Sequence, residues 1–143
     1  MDHGYAEDAV LNGVMANNDG FHDISAFVGP DQFTTPFRKR LWGAIQARIL
    51  SGEPADIVTL MEALPGDADG IHELFTTMAH GSSVKVYADI VRGNWRRREA
   101  GRIAQDLMQG ARAGDDGAID SATAALLALN ADVATHEYTG KQS

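Results

Sequence analysis

The sequence predicts an all-α fold: a small helical head over residues 1–82, then a long helical hairpin over residues 83–130 of the same domain. Residues 131–143 are expected to form a flexible tail or the start of a linker. Three observations carry this reading. Apolar residues recur at helical spacing through residues 83–113: Tyr87, Ile90, Val91 and Trp95, then Ile103, Leu107, Met108 and Ala111. Gly114-Asp115-Asp116-Gly117 then reads as a stop and restart, and no Pro occurs from Ser82 onwards. No stretch of the chain sustains the period-two alternation of a strand. Thirty residues of helix span about 45 Å, more than a compact domain of this size needs. The hairpin is therefore expected to project and to bury its apolar faces on something else, which points to assembly.

The head is expected to be a string of short helices. Ala6, Val10, Leu11, Val14 and Met15 form one apolar stripe over residues 6–16, and Asn17-Asn18-Asp19-Gly20 ends it with residues that tolerate left-handed geometry. Phe21, Ile24, Phe27 and Val28 mark a second helix or turn, broken by Gly29-Pro30. Thr35 followed by Pro36 is a helix start, a hydroxyl cap with Pro at the first helical position. That helix buries Phe37, Leu41, Ala44, Ile45 and Ile49 and stops at Gly52. Arg38, Lys39 and Arg40 in its first turns read as a solvated face. Asp56 caps a helix over 57–64 that Pro65 ends, and residues 66–70 read as an acidic loop. Ile71, Leu74, Phe75 and Met78 outline a helix over 71–79, and His80-Gly81-Ser82-Ser83 turns the chain into the hairpin. Its second helix, over 118–129, carries Ile119, Ala122, Leu126 and Leu129 on one side.

Composition narrows the function. The 143 residues suit one domain, 44% of them are hydrophobic, and the net charge of −8 argues against a general nucleic-acid or anionic-membrane binder. The absence of Cys excludes a disulfide framework and any thiolate site. No apolar run approaches the roughly 18 residues of a membrane span, and the acidic N-terminus is not a signal peptide; a cytoplasmic protein is expected.

Catalytic chemistry is hard to assemble. His72-Glu73 opens like a zincin helix, but Thr76 stands where the second His belongs. Gly140-Lys141 resembles the end of a phosphate loop, but Thr135 replaces its first Gly and Gln142 its Ser or Thr. Neither a metal nor a cofactor is expected, and the chain alone is not expected to be an enzyme. The charged feature that stands out is basic: Arg92, Arg96, Arg97, Arg98 and Arg102 lie within eleven residues. Consecutive Arg fan about 100° apart around a helix, so they cannot all follow one phosphate backbone. Ion-paired support of the hairpin base and contact with a partner or a single strand both remain open, with Trp95 as a core or interface anchor.

At these residues the chain resembles a known family, the N-terminal domain of bacterial or phage DnaB-type replicative DNA helicases. Glu7-Asp8-Ala9-Val10-Leu11-Asn12-Gly13 is similar to the family's E-x-x-V-L-G-x opening. Asp31-Gln32-Phe33 with Pro36-Phe37-Arg38 resembles its "DFY…HR" segment, and Leu41-Trp42-Gly43-Ala44-Ile45 its "IFxAI". Gly52-Glu53-Pro54-Ala55-Asp56-Ile57-Val58-Thr59-Leu60 is close to "GxPxDxxTL", and Tyr87-Ala88-Asp89-Ile90-Val91-Arg92 to "YAxIVR". The motifs stand in register over residues 6–113. The loop over 64–71 is shorter than the family's and lacks its Gly-Gly step, and the stretch around Gly81-Ser82-Ser83 is also shortened.

The resemblance implies a non-catalytic collar domain. Such domains pair, assemble as a trimer of dimers above an ATPase ring, and offer their hairpins to primase and to a helicase loader. By this resemblance the oligomer or partner interface would use Ile103, Leu107, Ile119 and Leu126, with Trp95 and Arg98 on the approach to it; helix spacing supports these positions, and little direct nucleic-acid binding is expected. ATP hydrolysis would belong to a further domain of the parent helicase. The alternative is a stand-alone phage protein that binds or inhibits a host helicase or primase. Sequence downstream of Ser143 separates the two, by the presence or absence of a phosphate loop.

Without a phosphate loop, the purified chain is expected to hydrolyse no ATP. A phosphate-release assay checks this; turnover abolished by a point change in this chain would overturn it.

Overall fold

The computed structural model describes residues 3–77 and 83–142, with side chains described through residue 131. Its helices are α1 (His3–Ala16), α2 (Asp19–Ile24), α3 (Pro36–Leu50), α4 (Ile57–Ala63), α5 (Ala68–Thr77), α6 (Val84–Arg112) and α7 (Gly117–Gln142), with 3-10 turns at Pro30–Gln32 and Pro65–Asp67. Among the described residues there is no strand, so the fold is all-α. The expected turn at His80-Gly81-Ser82, and Met78, lie outside the described residues.

The chain divides into two units, one ending at Arg92 and the other beginning at Gly93. The division falls inside α6, where the sequence reading put it after residue 82. The reason is burial: Ala88 and Val91, in the first turns of α6, are part of the head's core.

The head is built around Trp42. Its indole is fully buried, stacked on Phe21 at 5.4 Å between ring centres and tilted against Phe33 at 5.5 Å. Val10, Leu11 and Val14 of α1, Leu41 and Ile45 of α3, Leu60 of α4 and Ile71 of α5 close around these rings. Burying side chains of this size stabilises the fold by about 1.5–3 kcal/mol each.

The helix ends follow their sequence signals. Thr35 Oγ1 accepts the Arg38 backbone N–H at 3.2 Å, with Pro36 at the first helical position. Asp56 and Thr59 form a reciprocal capping box: the Asp56 carboxylate accepts the Thr59 N–H at 2.9 Å and the Thr59 hydroxyl accepts the Asp56 N–H at 3.0 Å. Gly52 ends the third helix with φ 77°, a left-handed value that costs Gly nothing. α2 begins at Asp19, two residues before the expected start. α5 begins at Ala68, within the stretch read as a loop, because the 3-10 turn at Pro65–Asp67 leads directly into it.

Polar side chains tie distant segments. The Glu7 carboxylate, 2% exposed, accepts the Thr34 N–H at 2.6 Å and the Thr34 hydroxyl at 2.9 Å. Asn18 donates to the Ala55 carbonyl at 2.9 Å and accepts the Ala55 N–H at 2.9 Å. Asn12 donates to the Leu74 and Phe75 carbonyls, both at 3.2 Å. The basic run on α3 is paired where a solvated face was expected: Arg38 with Asp8 at 2.9 Å and Arg40 with Asp67 at 2.8 Å. The Arg40 hydrogen bonds hold the Asp67 carboxyl below its ordinary range.

Glycine admits one close approach in the head. A Cβ on Gly13 would collide with Val84 Cγ2, and one on Gly20 would lie in ordinary contact with it at 3.4 Å. Val84 thus sits in a hole made by α1 and α2, and its own branched side chain has no flexible end to move aside. Gly13→Ala is expected to cost about 1–3 kcal/mol, the usual penalty of overpacking. Gly13→Ala combined with Val84→Ala should lose less than the sum of the two single changes, measured as urea midpoints.

The Asp56 cap carries a pH signature. Its hydrogen bond from the Thr59 N–H lowers the Asp56 pKa below the usual carboxylate value of 3.8. A depressed carboxylate contributes stability above the unfolded-state pKa, and that contribution fades as pH falls through the folded-state value. Asp56→Ala is expected to cost about 1 kcal/mol at pH 7. Its deficit relative to the unaltered chain should shrink as pH falls below the ordinary carboxylate range, as followed by denaturant titration.

Candidate functional site

The second unit is a pair of helices with one shared seam. The turn between them is built by glycine: Gly114 takes φ 75°, the Asp115 N–H donates to the Gly110 carbonyl at 2.9 Å, and the Gly114 N–H donates to the Ala111 carbonyl at 3.2 Å. This is the hydrogen-bonding pattern of a left-handed helix end. The Asp115 carboxylate then accepts the Gly117 N–H at 3.0 Å and opens α7. Next to the turn the helices touch closely: a Cβ on Gly110 would collide with the Cβ of Ala118. Further along, Ile103, Ala122 and Leu129 are buried together, with Trp95, Ala100, Leu107 and Ala125 packed on them.

The seam separates the interface residues expected from the sequence. Trp95, Ile103 and Leu107 come together along it. Ile119 and Leu126 lie outside it, 62% and 42% exposed. The sequence reading grouped those two with Ala122 and Leu129 on one side of the helix. The structure gives the seam to Ala118, Ala122, Ala125 and Leu129 instead. The close approach is next to the turn, where Ala118 lies against Gly110 and a larger side chain would not fit. Ile119 and Leu126 are seven residues apart and so share one outer face of α7. Leu127 and, on α6, Met108 are also exposed.

A shallow groove follows the seam, with Ile103, Leu107 and Ala125 on its floor and Arg102, Asp106 and Ser121 on its rim. It continues past Ala125 to Trp95 and Leu129. Arg102 spans its rim, donating to Asp106 at 3.1 Å and to Glu99 at 3.3 Å. The hydrogen bonds to Glu99, with Asp106 close by, raise the pKa of its guanidinium.

The basic cluster is largely engaged within the chain. Arg92 is buried, and Arg96 and Arg98 are half-buried. Of the five, the two exposed ones both have polar partners: Arg97 donates to Asn94 at 2.6 Å, and Arg102 is paired as described. Arg96, Arg97 and Arg98 are consecutive on α6 and so leave the helix about 100° apart. Among the described residues, no group of three or more His, Asp or Glu is placed to hold a metal ion. No helix there is long and apolar enough to cross a membrane.

Comparison with known proteins bears on the fold and the family. A family model described as the DnaB-like helicase N terminal domain matches residues 3–93. The chain is similar to a replicative DNA helicase DnaB of Mycobacterium leprae (strain TN), 28% identical over 121 residues, which are 79% of this chain and 20% of that protein. It is also similar to the one from Buchnera aphidicola subsp. Baizongia pistaciae, 26% identical over 112 residues, 73% of this chain and 24% of that protein. The chain thus spans about a fifth to a quarter of the length of these relatives. Among solved structures, the N-terminal domain of DnaB helicase from Mycobacterium tuberculosis matches with a TM-score of 0.77 and 26% identity, covering 85% of this chain and 94% of that one. Another, of a DnaB-like replicative helicase and its interactions with primase, shares the fold at a TM-score of 0.71 and 18% identity, covering 96% of this chain and 34% of that one.

The Gly110–Ala118 approach yields a local test. Gly110→Ala is expected to force the helices apart near the turn, at a cost of about 1–3 kcal/mol. Hydrogen exchange should quicken at residues 103–107 and 122–129 while amides around Trp42 keep their protection. Unchanged exchange in the hairpin would show that the close contact is not holding the seam.

Proposed function

The chain belongs to the DnaB-like helicase N-terminal domain family, and from that premise we propose that it is the non-catalytic collar domain of a replicative DNA helicase. Its work is assembly and docking: it pairs with further copies of itself, as a dimer or within a hexamer built as a trimer of dimers, and it receives primase and a helicase loader. The ATP-dependent unwinding belongs to the remainder of the parent protein. The same reading puts the protein in the cytoplasm.

The observation that carries the assembly role is the outer face of α7. Ile119 and Leu126 lie on one face, largely exposed, in a unit whose seam is already filled by other residues. Large apolar side chains aligned on a helix are costly to leave in water, and a second hairpin offers a face of the same kind. The interface therefore centres on Ile119 and Leu126. Trp95, Ile103 and Leu107 shape the hairpin that presents them, and Arg98 stands on the same helix as Trp95. Support for the primase role comes from the fold shared with a helicase studied in its interactions with primase.

Sedimentation velocity tests the assembly role. The unaltered chain is expected to self-associate. Leu126→Asp, or Ile119→Asp, should shift it toward monomer without unfolding, because the charge lands in the interface and not in the seam. Leu107→Asp does not discriminate, since it breaks the hairpin itself. A monomer at high concentration for the unaltered chain, or an unchanged oligomer in both variants, would overturn the proposal.

A further inference from the structure

We draw no further inference here: the strongest candidate, the exposed apolar face of α7 at Ile119 and Leu126 beside the groove along the hairpin seam, belongs to the assembly and docking surface already described, and nothing in the structure shows any other partner that covers it.

Discussion

Two helices side by side have one face each to give one another, and that constraint governs the hairpin. Its seam is narrow because the residues in it are small: Gly110 against Ala118, then Ala122 and Ala125 opposite Ile103 and Leu107. Small residues let the backbones approach next to the turn, and dispersion contacts form there. Leu129 joins the seam, while Ile119, Leu126 and Leu127 of α7 are left outside it. In a globular domain a third element would cover them, but among the described residues beyond Gly93 there are only the two helices and their turn. The hairpin is therefore closed next to its turn by small residues and keeps an apolar face on its outside.

The head obeys a different rule. There the large rings are inside, with Trp42 packed against both Phe21 and Phe33. The short helices around it are too brief to be stable alone; packing and side-chain ties hold them. Glu7 to Thr34, Asn18 to Ala55 and Asn12 to Leu74 each join segments far apart in sequence. Glu7 and Asn18 satisfy backbone groups in connecting segments, at Thr34 and Ala55, and Asn12 satisfies carbonyls in the last turn of α5.

Much of this was legible in the residues. Thr35-Pro36, Asp56 with Thr59, Gly52 and Gly114 mark helix ends by local chemistry, and local chemistry is what a sequence displays. The buried stripes of α1 and α3 follow from period alone. What stayed hidden depends on distance. Nothing near Glu7 announces a partner 27 residues away, and the α3 arginines look solvated until Asp8 and Asp67 are brought to them. Helical period groups Ile119 and Leu126 with Ala122 and Leu129 on one side of α7, but it does not say which of the four turn toward α6; packing gives that place to Ala122 and Leu129. Residues 131–142 were read as an aperiodic tail, yet their backbone continues α7; residues 131–139 contain neither Gly nor Pro, so nothing local ends the helix.

The outward placement of Ile119 and Leu126 bears on what stability means for this chain. If the cover for that face comes from another molecule, mass action enters the unfolding equilibrium. The head, with its rings enclosed, would keep a melting temperature independent of protein concentration. The hairpin would not: each tenfold rise in concentration would add a further increment of free energy to its folded, associated form, up to about 1.4 kcal/mol per association equilibrium at room temperature. Dilution would then loosen the half of α6 beyond Gly93 and leave the half that belongs to the head unchanged.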